Sequence, residues 1–366
     1  MNLNQQLSSK QLLTLSFVSM LSPFLRLIPG SVTDIAGSAS WVCAALSILP
    51  AALLSLALTK LLSAFPSGTG LGTIVLQTFG SFGGSLLLCL WALWLIFHSG
   101  FLLCSGADRF IATIYPGIQP IIFILVTAAM CFIAAMGTLK SIARASELFK
   151  PLLLFVILLV IFFSLSEVEP TFLLPVTKGQ TTSIFKGIPI AAEAVSVVLI
   201  NTAFLSKFSV PNSKSKSNLL WLFKITVLNV LFCGVCVGSL GKTYVSALAY
   251  PFFILARDLS VLSGVERIES LVVGLWLIPD FVLITVEWMI ASDLLLQIAG
   301  KNNTEKFPVK LIILCASFAV FVAFRIAPDS SQLVRWSEKI VPAIHLGWAY
   351  IVIPILFFVS ALRKKF

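Results

Sequence analysis

A chain of 366 residues that is 58% hydrophobic and 11% charged, with a mean hydropathy of +1.04, is not a soluble domain, where about a quarter of residues carry charge. Its formal net charge of +10 falls in loops between apolar runs, so it reports membrane topology and excludes a nucleic-acid partner. All seven cysteines lie in apolar segments, as small buried hydrophobes do; Cys233-x-x-Cys236 has no further Cys or His nearby, and neither a disulfide framework nor a metal site is expected.

Charge-poor windows of roughly 20 residues, long enough to span a bilayer, fall at about 11–35, 39–63, 83–106, 117–137, 148–165, 187–207, 218–240, 268–296, 308–326 and 339–361. The expectation is an all-α integral membrane protein of ten transmembrane helices, a single domain over residues 1–366. No charged-then-apolar leader precedes the first window, so no cleaved signal is expected. With the N-terminus inside, 15 of the 25 basic residues face inward, among them Lys10, Lys60, Lys140, Lys207 and the "LRKKF" tail. The other ten are nearly balanced by acids such as Asp34, Asp108 and Glu338.

The first window contains "MLSPFLRLIPG", where Pro23 removes a backbone donor and Pro29-Gly30 follows one and a half turns later. The third carries His98 in "LWLIFHSGFLL", at mid-span; a lone buried histidine is commonly a hydrogen-bonded core residue. The sixth opens "GIPIAAEAVSVVLINTAFL", with Pro189, Glu193, Ser196 and Asn201 among small residues. Interrupted first and sixth helices in a ten-span chain fit two five-helix repeats of opposite orientation, 1–165 and 187–361, with the broken helices exposing backbone groups at the midplane. Pro50, Pro151, Pro342 and Pro354 read as packing kinks. Gly234 and Gly238 in the seventh window allow a close helix approach.

Between the seventh and eighth windows, residues 250–262 are short and hold Arg257 and Asp258, which suits a re-entrant or interfacial helix. The eighth window reads "GLWLIPDFVLITVEWMI". Asp280 and Glu287 lie seven apart, on one helix face and about 10 Å apart along the axis. A carboxylate at that depth costs at least a few kcal/mol unless it faces protein, water or a partner. Asp293, nearer the inner end, is expected to be solvated. His345 lies in the tenth window. An enzyme is not expected: no H-E-x-x-H, no glycine-rich phosphate loop, and two histidines without a carboxylate or cysteine at a useful spacing.

One stretch carries a resemblance. "YPFFILARDLSVLSGVERIESLVVGLWLI", residues 250–278, is similar to the signature of the endospore germination permeases, the GerAB-type B subunits of nutrient germinant receptors. The matching positions are Tyr250, Pro251, Glu266, Arg267, Glu269 and Trp276. "LSSKQLLTLSFVSMLSPFLRLIPG" also resembles the family's first helix. The resemblance implies the amino acid–polyamine–organocation superfamily fold (LeuT-like, with inverted repeats), a place in the inner spore membrane with both termini toward the core, and A-type and lipoprotein C-type partner subunits. It further implies binding of a germinant, commonly an amino acid, followed by ion release; no cofactor is implied.

In that superfamily the eighth helix lines the cavity beside the first, third and sixth. The resemblance therefore points to Leu21, Ser22, Pro23, His98, Val198, Leu199, Asp280, Leu283, Ile284 and Glu287 as pocket residues. The two acids would hold a proton, a cation or a ligand ammonium, and Ser22 with its neighbouring backbone a ligand carboxylate. Arg26 either shares that task or pairs with Asp34. Glu266, Arg267 and Glu269 lock the entrance of the eighth helix or form a subunit interface. The chain departs from the family pattern with Ser22-Pro23-Phe24 where small glycine-type residues are common. Ile200 stands where the sixth helix often has glutamate; Glu193 lies two turns earlier. A proton-coupled permease for an amino acid or organic cation is the alternative to a sensor.

Overall fold

The computed structural model describes residues 6–66, 68–113, 117–174, 178–208, 215–258, 268–301, 307–326 and 330–363. Every one of the ten apolar windows coincides with helix, but among the described residues eight segments are long and apolar enough to cross a membrane. These are 28–63, 71–112, 139–167, 181–208, 218–240, 274–298, 309–326 and 332–362. The fourth window holds a shorter apolar helix, Pro120–Ala135.

Helix α1 (Ser9–Ala36) begins where Ser8 accepts a hydrogen bond from the Gln11 amide while the Gln11 side chain returns one to Ser8, 3.1 Å each. It then runs unbroken through Pro23 and Pro29 to Gly37, whose positive φ of 55° ends it. The expected interruption of the first helix is therefore absent. The same correction applies to the sixth: α8 (Thr181–Leu205) continues through Pro189. A helix wrapped by neighbours tolerates proline because adjacent groups and small backbone adjustments absorb the missing donor. A sequence shows the proline but not the neighbours. The real break lies elsewhere. Helix α4 (Leu71–Thr113) bends at Gly80, whose φ of 80° and ψ of 176° only glycine adopts without strain.

After α1 come α2 (Ser40–Leu46) and α3 (Ile48–Ser63), and after α4 come α5 (Pro120–Ala135) and α6 (Leu139–Ser164). The short α7 (Pro170–Leu173) precedes α8. Then follow α9 (Ser215–Leu240), α10 (Lys242–Ala247), α11 (Pro251–Asp258), α12 (Ile268–Ile298) and α13 (Val309–Ile326). The last segment is a relay: α14 (Ser330–Arg335), a π-helical stretch 336–340, α15 (Val341–Gly347), a second π-helical stretch 348–352, and α16 (Ile353–Leu362).

Helix α12 is the enclosed centre. It packs chiefly on α4 and then on α1, α5, α13 and α11, although much of α13 faces outward. α1 lies along α8. The α4–α13 contact needs Gly100, since a Cβ there would sit 2.5 Å from the Ala319 carbonyl oxygen. The glycine pair of α9 divides: Gly238 abuts Val168, while Gly234 faces open space, so the expected two-glycine contact is half made. The segment expected to be re-entrant or interfacial contains α11, a short helix whose Phe252, Phe253 and Leu255 are buried against the bundle.

Candidate functional site

Among the described side chains, helix α12 carries three carboxylates, Asp280, Glu287 and Asp293, all at most 3% exposed. Each meets a cation or imidazole from another element. Nothing in the local sequence of α12 reveals this, because each partner is 86 to 189 residues away.

The first layer is built around Asp280. Its Oδ2 accepts from Nη2 of Arg109 on α4, and its Oδ1 accepts from the Ser22 hydroxyl of α1. The Arg109 guanidinium lies 5.4 Å above the Phe253 ring of α11, and Phe253 packs edge-on against Trp276 at 5.0 Å. Tyr250 donates to Asp108, beside Arg109, at 2.9 Å. Phe253 is thus the floor beneath Arg109, with Tyr250 and Trp276 packed edge-on against it, and Pro251 starts the helix α11 that carries it. Gly106 leaves room for the ion pair, as a Cβ there would come within 3.3 Å of Asp280 Oδ2. Arg109 was missed in the sequence, where it reads as an outer-loop charge. The available signal was its position eleven residues after His98, which is the same face of one helix.

Seven residues further along α12, Glu287 accepts from or donates to Nδ1 of His98 on α4 at 2.8 Å. The His98 ring meets His345 of α15 edge-to-face, with centroids 4.8 Å apart, and Nδ1 of His345 bonds Glu193 of α8. Trp94 stacks on His98 and turns its edge toward His345. The only two histidines of the chain therefore join in a buried Glu–His–His–Glu cluster assembled from α12, α4, α15 and α8. No member is more than 2% exposed. His345 and Glu193, minor features in the sequence, are half of it. The π-helical stretches on both sides of α15 widen the backbone there.

The third layer corrects an expectation. Asp293 is not solvated: it pairs with Lys207 just past α8 and accepts from Gln297 at 2.6 Å. Lys207 in turn lies 4.8 Å over the Phe208 ring.

The remaining expected pocket residues are apolar or already engaged. Leu21, Ser22, Pro23, Val198 and Leu283 are buried and Leu199 half-buried. Between α1 and α8, the Ser16 and Thr202 hydroxyls meet at 2.6 Å. Beside them the Ser19 hydroxyl and both amide atoms of Asn201 are buried with no partner among the described residues. Leaving such groups dry costs about 1–3 kcal/mol each. A separate surface pocket lies toward the Asp34 end, lined by Ser31, Asp34, Ser105, Tyr250 and Glu338 among others. Glu266, Arg267 and the side chains of Arg26 and Glu269 lie outside what is described, so their expected roles are not placed.

Residues 6–332 match the family model described as spore germination protein. The solved structure of Mhp1, a nucleobase-cation-symport-1 family transporter in a closed conformation with bromovinylhydantoin bound, shares the fold. Its TM-score is 0.66 at 14% identity, covering 99% of this chain and 80% of that one. A mutant manganese transporter of Eremococcus coleocola follows with a TM-score of 0.54 at 13% identity, covering 97% and 82%. No curated protein sequence matches the chain. Family and fold are those of a non-enzymatic membrane protein.

Proposed function

The chain belongs to the spore germination protein family, and from that premise we propose that it is the germinant-sensing membrane subunit of a spore nutrient receptor. In this reading ten spans form two inverted repeats, residues 1–165 and 187–361, in the inner spore membrane with both termini toward the core. The subunit works with an A-type subunit and a lipoprotein C-type subunit. A small nutrient, an amino acid, binds at mid-depth between α1, α8 and α12 and biases the conformation that leads to ion release. A ligand shifts such an equilibrium only through its differential affinity for the two states.

One observation carries the reading. The unpartnered Ser19 hydroxyl and Asn201 amide sit in the α1–α8 contact, where a polar ligand would satisfy them. Leu21, Ser22, Pro23, Val198, Leu199 and Leu283 supply the apolar and small walls, and Asp280 with Glu287 the charged ends. The test is Asn201→Leu. The isosteric change removes only unpaired atoms, so thermal stability should hold within about 1 kcal/mol. Germination across a panel of amino acids, sugars and inosine should be weakened or redirected. An unchanged response over the whole panel would remove Asn201 and this pocket from the proposal.

The second reading, a proton-coupled permease, is favoured by the titratable groups at mid-depth and by the transporter fold. Labelled amino acids offered to proteoliposomes of the lone protein decide between them. Accumulation driven by a pH gradient supports the permease, whereas loss of nutrient germination on deletion with vegetative uptake intact supports the sensor.

A further inference from the structure

Away from the buried layers, one group of charges has too little counter-charge. Lys10 stands on the first turn of α1, Lys150 on α6 and Lys224 on α9, three helices that pack on one another. The Lys150 ammonium lies 5.4 Å over the Phe17 ring of α1, and Lys10 and Lys224 are close enough to repel its charge. The carboxylate that acts on it is Glu147, which accepts from the Gln11 side chain at 3.3 Å. Three ammoniums against one carboxylate leave a surplus of two positive charges. Among the described residues none of the three lysines makes an ion pair.

We propose that Lys10, Lys150 and Lys224 form a binding site for the phosphate headgroup of an anionic membrane lipid, whose acyl chains lie along the exposed apolar residues of α6 and α9. Basic groups between helices at the border of a bilayer recognise acidic headgroups by charge complementarity.

Depth argues for a lipid over a soluble anion. Lys150 is the last charged residue of α6, followed by the apolar run 151–163. Lys224 lies six residues into the apolar span 218–240, about 9 Å along the helix axis. Both therefore stand at the edge of the hydrocarbon, where a lysine lifts its ammonium toward the headgroups while its stem stays among apolar groups. Exposed apolar side chains flank each of them: Leu148, Leu152 and Phe155 on α6, and Leu220, Phe223 and Val227 on α9. Free phosphate would have to leave water to reach that depth, whereas a lipid headgroup is already there. The site is independent of whether the chain senses or transports.

The experiment offers the purified full chain, in detergent micelles, equal amounts of phosphatidylglycerol and phosphatidylcholine, and counts bound lipid by native mass spectrometry. The wild type should retain phosphatidylglycerol about tenfold or more over phosphatidylcholine, since each lysine near an acidic headgroup contributes a factor of several. Lys150→Gln combined with Lys224→Gln should lower that ratio by about tenfold or more. Lys310→Gln removes a lysine of α13, outside the group, and should leave the ratio unchanged. The absence of a preference in the wild type overturns the proposal, and so does an undiminished preference in the double variant. An equal drop in Lys310→Gln would overturn it too, by reducing the effect to total charge. Displacement of the bound lipid by millimolar inorganic phosphate would assign the lysines to a small anion instead. The wild-type ratio needs no variant to fold, and neither nutrient nor partner subunits, so its failure is distinct from failure of the sensor reading.

Discussion

Asp280 and Glu287 share a helix face, a depth within about two turns and nearly complete burial, yet they are held in different ways. Asp280 faces a guanidinium that is never deprotonated, resting on the aromatic floor of Phe253 and Trp276. Glu287 faces an imidazole whose proton can leave, joined edge-on to a second imidazole with its own glutamate. The first layer is a fixed ion pair that clamps α12 to α4 and α1. The second is a titratable one that links α12 and α4 to α8 and α15. Permanent charge suits a clamp because it cannot be relaxed by pH, whereas an imidazole can donate or accept through the same ring nitrogen.

The difference is best broken at its strong side. Arg109→Met should give the largest loss, about 3–5 kcal/mol, because it strands the Asp280 carboxylate. The double variant Arg109→Met with Asp280→Leu should recover most of it in thermal unfolding. Failure of that rescue would mean that Arg109 stabilises through contacts other than Asp280.

A smaller effect is expected one layer down. Glu287→Gln keeps a hydrogen-bonding side chain against His98 and should cost about 1–3 kcal/mol, less than Arg109→Met in the same assay. An equal or larger loss would show that Glu287 is a clamp too.

Function sharpens the contrast in the next case. Asp280→Asn leaves Ser22 a partner and should insert normally while altering nutrient response or ion release. A normal response to every nutrient would confine Asp280 to stability. The smallest effect belongs to the rim: Tyr250→Phe loses the bond to Asp108, about 0.5–1.5 kcal/mol, and a null result would reduce the motif tyrosine to aromatic packing.

The family motif shows how far local sequence reaches. Tyr250, Pro251 and Trp276 were legible as a family signature; in the structure Pro251 begins α11, and Tyr250 and Trp276 pack on Phe253. The guanidinium above that ring, Arg109, was not legible as a site residue, since its partner Asp280 is 171 residues away. Proline misled in the opposite direction. Pro23 and Pro189 suggested broken helices, yet α1 and α8 run through them, while the true bend falls at Gly80.

Composition and hydropathy by themselves determined that this chain is a helical membrane protein, where its apolar segments lie, and that Asp280 and Glu287 share one side of a helix. Those properties depend on residue type and on periodicity over a few turns. Which cation answers which carboxylate, and the gathering of both histidines with Glu193 and Glu287, were decided by tertiary structure alone. Such pairings form between helices far apart in the chain, so no local period records them; burial then makes each one obligatory.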